Sequence, residues 1–317
     1  MHIFLYGGVS VLPVVYVDGA EGTTGLRIMD RLRQYPGITL LTIDSSMRKN
    51  RTERAKYLNR CDIAILCLPD SAAREAVEDI HNPLTRILDA SSAHRISPGW
   101  VYGLPELGGS RRDQIVNAGR VAVPGCHATG YILLTLPLVK AGLLPFESFI
   151  SCYSITGYSG GGKRMIEDYN QNRHGWSSPR HYAVAQTHKH LGEMKVYGGL
   201  HTLPVFIPVV SGFYAGMLTT IPLHALTPKT LIKTYSEYYR NEALVRVLDE
   251  EEAEALGDTV KADTMAGKDS VEIIILGHAE RVTVMARFDN LGKGSSGAAI
   301  QCLNLMLNAH ETTGLYL

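Results

Sequence analysis

The sequence predicts an α/β Rossmann domain with a parallel sheet, followed by an α+β domain with a largely antiparallel sheet. Three observations predict this. Short β-rich runs alternate with helical patterns through the first third of the chain, the mark of a parallel sheet with right-handed crossovers. A glycine-rich turn, Gly19-Ala-Glu-Gly-Thr-Thr-Gly25, joins the first of these strands to the first helix. Beyond residue 148, strand-like runs follow one another with few helices between them. At 317 residues the chain is too long for one small core, so two domains are expected.

The elements follow in order. Pro13–Asp18 is an apolar, β-branched strand, and Leu26–Tyr35 carries a helical pattern. Ile38–Ile43 is a second strand and Glu53–Asn59 a short helix. Ile63–Leu68 is a third strand, Ala72–Ile80 a helix, and Arg86–Asp89 and Val121–Val123 two further strands. In the second domain Phe149–Thr156, Val205–Val210, Gly212–Pro222, Val271–Leu276 and Arg281–Phe288 read as strands, with Pro228–Tyr239 as the clearest helix. Gly294–Asn308 reads as a final long helix that returns to the first domain. The expected division is therefore 1–125 with 290–317, and 126–289. The apolar start, Met1 to Tyr16, lacks a basic leader and a small-residue cleavage site, so a leading strand or an added extension is expected rather than a signal peptide.

Composition excludes several classes. Lys plus Arg and Asp plus Glu both number 31, which argues against a nucleic-acid binder but not against a local basic pocket. No run of eighteen apolar residues exists, so no membrane span is expected. The five cysteines, Cys61, Cys67, Cys126, Cys152 and Cys302, are odd in number and lack CxxC or zinc-like spacing. They suit reduced thiols in a cytoplasmic protein. Cys61, Cys67 and Cys152 read as inert core residues. No metal site is expected, because one HxH pair with one carboxylate is too small a ligand set.

Gly19, Gly22 and Gly25 follow a strand and open a helix. Their spacing departs from GxGxxG, but backbone can still approach a pyrophosphate closely and the helix N-terminus supplies N–H donors, with Thr23 and Thr24 among the expected cofactor contacts. At the end of the second strand Asp44 could accept a ribose 2′-hydroxyl, as for NAD. The following Ser45-Ser46-Met47-Arg48-Lys49 suits a 2′-phosphate better, with Ser46 and Arg48 as the expected contacts, so NADP(H) is the expected cofactor.

Cys126 lies in Val123-Pro-Gly-Cys-His-Ala-Thr-Gly130, where a strand turns into a helix. A helix N-terminus favours a thiolate, and the thiolate is the nucleophile. The neighbouring His127 points about 100° away on a helix and is a poor geometric base. His190 and Glu193, three apart, share a face if their segment is helical, so the carboxylate can orient the imidazole. His188 and His190 would point to opposite sides of an extended segment. Nucleotide, thiolate and base together point to a redox reaction that passes through a thioester. Ser159, Gly160 and Lys163 in Gly157-Tyr-Ser-Gly-Gly-Gly-Lys163 form an anion cradle or a hinge. Gly294 opens a second glycine-rich helix start, fit to close over a nicotinamide or to allow close packing. Arg95, Arg111, Arg112, Lys163 and Arg164 form the pool for substrate carboxylate and phosphate, with Arg95, Arg111 and Lys163 preferred.

These stretches, together with Asp89-Ala-Ser-Ser-Ala-His-Arg95, Tyr102-Gly-Leu-Pro-Glu106, His188–Glu193 and Lys293-Gly-Ser-Ser-Gly-Ala-Ala299, resemble the N-acetyl-γ-glutamyl-phosphate reductases, in their shorter type. Gly192 departs from the proline many members carry. The resemblance implies NADPH-dependent reduction of a small-molecule acyl phosphate to N-acetylglutamate semialdehyde in arginine biosynthesis. It also implies a nucleophile at Cys126, an acid/base at His190 supported by Glu193, a second domain serving catalysis and dimerisation, and a homodimer or homotetramer. The alternatives are a sibling acyl-phosphate reductase, such as aspartate-semialdehyde dehydrogenase, and a non-catalytic NADP-binding sensor.

Overall fold

A computed structural model describes residues 4–6, 9–172, 176 and 178–317, and it divides into two compact units. Unit 1 comprises residues 1–124 and 295–315. Unit 2 comprises 125–294 with the last two residues.

Unit 1 begins with a small antiparallel pair, β1 (Phe4–Tyr6) and β2 (Val9–Val11). Residues 1–3, 7 and 8 of the apolar start lie outside the described residues. The main sheet then builds from β3 (Val14–Asp18), α1 (Thr23–Leu32), β4 (Thr39–Leu41), α2 (Arg51–Leu58), β5 (Ile63–Leu66), α3 (Asp70–Glu78), β6 (Arg86–Asp89), β7 (Val101–Tyr102), α4 (Arg111–Asn117) and β8 (Arg120–Ala122). Its order is β4-β3-β5-β6-β8-β7, and every pairing is parallel. Such strands are covered on both faces, which is why β5 is buried at all four positions. The first helix starts at Thr23, three residues ahead of its apolar pattern, because Gly22 caps it from extended backbone.

Unit 2 opens with α5 (Cys126–Lys140), apolar on all sides and buried along nearly its whole length, which makes it a core helix. There follow β9 (Ser151–Gly157), α6 (Gly162–Asn170), β10 (Arg180–His181), α7 (Leu191–Tyr197), β11 (Val205–Ser211), β12 (Met217–His224), α8 (Pro228–Tyr238), β13 (Val245–Val247), α9 (Glu250–Glu254), β14 (Val271–His278) and β15 (Arg281–Phe288). The sheet order is β10-β11-β9-β12-β15-β14-β13. It is mixed: β9/β11 and β13/β14 are parallel and the remaining four pairings antiparallel. Helices α6, α7 and α9 correct the expectation of few helices in this half. They are short and polar, so no long apolar period announces them. Strand β12 starts at Met217 rather than Gly212, because Gly212–Gly216 forms the turn before it.

The chain closes on α10 (Gly297–Met306), which lies in unit 1. It is buried throughout, with its apolar residues in the core of Val15, Ile28, Ile65 and Leu88. Its polar residues are matched: Asn304 accepts from Tyr35 Oη at 2.5 Å, and Gln301 donates to Glu106 and Glu311. The expected helix start at Gly294 is instead a π-helical turn over Gly292–Ser296.

Candidate active site

Several of the residues expected to bind nucleotide in unit 1 line one cavity of about 660 Å³. Asp18, Gly19, Glu21 and Gly22 come from the loop after β3. Ser45, Arg48 and Lys49 come from the loop after β4, and Cys67 and Leu68 follow β5. These are the carboxyl ends of adjacent parallel strands, where open α/β sheets bind ligands. Gly19 has φ +79°, and a Cβ there would stand 2.4 Å from the Cys67 carbonyl oxygen. Across the same turn, a Cβ on Gly25 would lie 2.4 Å from the Gly19 oxygen. The loop is thus bare backbone by necessity, leading into a helix N-terminus that no side chain caps. The Thr23 hydroxyl is buried with no hydrogen-bond partner among the described residues, while Thr24 Oγ1 lies 2.9 Å from Ser295 Oγ. A dinucleotide pyrophosphate fits this cradle.

The loop after β4 sorts its residues. Ser45, not Ser46, lines the cavity; the Ser46 amide and hydroxyl both donate to Asp44, holding that carboxyl below its usual range. Arg48 lines the cavity, paired with Glu21, and Lys49 stands beside it. Arg54 also lines the cavity, forked onto the buried Asp18 at 2.8–3.0 Å. Cys67, expected as inert core, is half-buried and forms part of the cavity wall.

In unit 2, Cys126 is the first residue of α5, with Gly125 as its N-cap. The thiol is partly exposed. Glu193, in the first turn of α7, reaches across and accepts the Gly125 N–H at 2.9 Å, with only 2 % of its surface exposed. His190 is the N-cap of α7 and 5 % exposed. Its ring centroid lies 5.7 Å from that of His127. The segments 125–127 and 188–193, far apart in sequence, therefore meet at two points.

His188 and His190 do not point apart. Their rings meet edge-on at 4.6 Å, and the His190 amide donates to His188 Nδ1, because the segment is a turn and not a strand. Gly192 sits inside α7, where the helix tolerates it. His127 is buried; its Nδ1 lies 2.7 Å from Ser154 Oγ and its Nε2 2.5 Å from Tyr182 Oη. Burial, and secondarily His188, pushes its pKa down to about 3, so the ring is neutral. A neutral imidazole donates through one nitrogen and accepts through the other, so it orients both hydroxyls. Burial raises the Tyr182 phenol well above its ordinary value, and proximity of Cys126 adds to this. Tyr182, His127 as a scaffold, Ser45 and Lys49 were not singled out by the sequence. Only strand pairing, which brings Tyr182 against Pro208 and Ser154 beside it, reveals the first two.

The remaining residues are placed as follows. Gly294 is buried in the π-helical turn, and a Cβ on it would stand 2.8 Å from Cys126 Cβ, so its bareness makes room for the cysteine. Ser159 is 1 % exposed, accepting from Asn290 Nδ2 at 3.0 Å; Gly160 and Lys163 are exposed. Arg95 is buried in unit 1, donating to the carbonyls of Val123 and Ala90, so it fixes the strand that leads to the cysteine. Arg111 opens α4 and Arg112 forks onto Glu311. Among the described residues, no group of three or more His, Cys, Asp or Glu is placed to hold a metal, and no helix is long and apolar enough to cross a membrane.

Comparison with known proteins fits this geometry. Residues 14–118 match the family described as semialdehyde dehydrogenase, NAD binding domain, and residues 126–290 match its dimerisation domain. N-acetyl-gamma-glutamyl-phosphate reductase of Trichormus variabilis is 41% identical, covering 96% of this chain and 99% of its own. The enzyme of the same name from Brucella anthropi is 42% identical over 93% of this chain and 98% of its own. The chain belongs to the N-acetyl-γ-glutamyl-phosphate reductase family. The reductase fold is that of aspartate semialdehyde dehydrogenase II from Vibrio cholerae, with a TM-score of 0.71 at 15% identity over 94% of this chain and 99% of the other.

Proposed function

We propose that the chain reduces N-acetyl-γ-glutamyl phosphate to N-acetylglutamate 5-semialdehyde and phosphate, with NADPH, as a step of arginine biosynthesis. The observation that carries this reading is the junction of the Cys126 helix start with the His190–Glu193 turn, through Glu193 and Gly125. A sensor has no need of a thiol-bearing helix start tied to an imidazole-bearing turn.

In this reading Cys126 attacks as the thiolate at the acyl carbonyl, favoured by the N-terminus of α5. Phosphate leaves as the thioester forms. Bound NADPH supplies a hydride. Gly19, Gly22, Thr23, Thr24 and Gly25 would hold its pyrophosphate and Ser45, Arg48 and Lys49 its ribose phosphate, and Gly294 lies beside the cysteine. His190 takes the thiol proton at the start and returns one to the carbonyl oxygen when the thioester is reduced. Collapse of the thiohemiacetal frees the aldehyde and restores Cys126. Glu193 keeps the elbow and the imidazole in register. Arg111 and Lys163 remain the proposed substrate contacts and Gly160 an outer cofactor contact, whereas Arg95 is engaged by Val123 and Ala90, Ser46 by Asp44 and Ser159 by Asn290, which takes them out of these roles.

We further place the enzyme in the cytoplasm as a homodimer or homotetramer. The match to a dimerisation domain supports self-association, as do Tyr153 and Val205, exposed apolar side chains on the sheet face away from Ser154. The test is phosphate-dependent reduction of NADP by the semialdehyde, the reverse reaction. Wild type should turn over. Cys126→Ser should lose turnover and acyl-enzyme formation while keeping NADPH binding. Normal turnover of that variant refutes the assignment.

A further inference from the structure

Strand β10 forms the outer edge of the unit 2 sheet, and its register carries a row of side chains. Arg180 lies opposite Val210, Val210 opposite Thr156, and Thr156 opposite Met217, which faces Phe288. The next row is Tyr182, Pro208, Ser154 and Thr219. Residues two apart on a strand share a face. Arg180 therefore lies on the same face as Tyr182 and Ser154, the two hydroxyls bonded to His127, which follows Cys126 in α5. At the other end of Arg180's row, Phe288 borders Gly294, the neighbour of the cysteine.

The guanidinium on this face has an uncommon environment. No carboxylate among the described residues lies within ion-pair distance of it, whereas Arg54, Arg112 and Arg287 each have one. It is held instead by aromatic rings. Its carbon lies 3.4 Å from the Trp176 ring centroid and 5.6 Å from that of Tyr169, and Nη2 donates to Tyr169 Oη at 3.2 Å. Tyr169 is itself stacked on Tyr158 at 4.4 Å. The Nε is buried without a hydrogen-bond partner. A planar cation fixed by π faces keeps its charge and its in-plane donors for something else, and a buried donor left open calls for an acceptor. The acceptor that matches a guanidinium edge is a carboxylate or phosphate.

We propose that Arg180 binds the α-carboxylate of the acyl substrate and so selects an acyl phosphate that carries this carboxylate over a simple acyl phosphate. This rests on the function proposed above. The carboxylate is favoured over the phosphate because it stays on the acyl chain after phosphate leaves, so one fixed clamp positions the carbonyl through both halves of the reaction.

The test uses the full-length enzyme in the reverse direction, with N-acetylglutamate semialdehyde, its α-carboxamide analogue, phosphate and NADP. Wild type should prefer the acid to the amide. In Arg180→Met, kcat/KM for the acid should fall about 10- to 100-fold, chiefly through KM, as for loss of charge-assisted hydrogen bonds. The acid-to-amide preference should collapse, while KM for phosphate and NADP and the Tm stay near wild type. A merely structural role would lower kcat and Tm for both substrates alike. Arg180→Lys, which keeps the charge and loses the fork, should fall between, and it carries the same test should the methionine variant not fold. A preserved acid-to-amide preference in either folded variant, or a change confined to the phosphate KM, overturns the assignment. Absence of phosphate-dependent turnover in wild type overturns the proposed function and this inference with it.

Discussion

Glu193 offers the sharpest perturbation, because it accepts a backbone N–H of the turn that carries the proposed nucleophile. Its carboxylate is 2 % exposed and accepts from Gly125 at 2.9 Å, one residue before Cys126. Glu193→Ala removes a charge-assisted bond and leaves a buried donor open, which together cost about 2–4 kcal/mol. The freed elbow should also let the thiol drift, and a misplacement near 1 Å costs about 10²-fold in rate. Glu193→Gln keeps an oxygen at the same reach and loses only the charge, so it should cost about 1 kcal/mol and retain most of kcat. Urea unfolding gives the stability, phosphate-dependent NADP reduction gives kcat, and the rate of Cys126 alkylation reports the elbow directly. The reasoning is refuted by an alanine variant with wild-type stability and turnover. It is equally refuted if glutamine proves as damaging as alanine, since the anchor then would not be what matters.

Two further outcomes follow from the structure. The His127 pKa near 3 lies below the ordinary 6.5, so as pH falls the unfolded chain takes up this proton first. The contribution of the ring is whole above pH 6.5 and declines toward pH 3, at up to about 1.4 kcal/mol per pH unit. The stability gap between wild type and His127→Asn should therefore narrow between pH 7 and 5, and a gap independent of pH in urea titrations contradicts the neutral, scaffolding role. Gly19→Ala puts a Cβ into the Cys67 carbonyl in left-handed backbone, at a cost of about 1–2 kcal/mol for the conformation alone. NADPH should bind at least about tenfold more weakly in a fluorescence titration; unchanged affinity would remove the loop from the cofactor site.

How far the sequence carries depends on whether a feature is local. The loop after β3 and the Pro-Gly elbow before α5 are legible because strand, turn and helix start are contiguous and glycine has few reasons to recur at such points. Ser45 and Ser46 were not separable, since the choice rests on a turn in which Asp44 claims the second hydroxyl. His188 and His190 are ambiguous in sequence for a related reason: a two-residue spacing has opposite meanings on a strand and on a turn. Tyr182 and Arg180 stayed silent because their meaning comes only from β10 pairing with β11, and β11 with β9, across dozens of intervening residues.

The same contrast explains which parts of the site needed the structure. Thiol and imidazole are chemical types that stand out in any chain, so Cys126 and His190 are readable as candidates from their neighbours alone. The residues that make them work together use common groups in uncommon places. Gly125 supplies nothing but an amide, His127 a neutral ring, and Gly294 an absent side chain. Each is dictated by what another segment places against it. A buried carboxylate on an amide and a depressed imidazole are costly to desolvate, and such costs are retained where geometry has to be held. That is why the Glu193 and His127 variants discriminate between a thiol that merely happens to lie on an elbow and one that the rest of unit 2 is built to position.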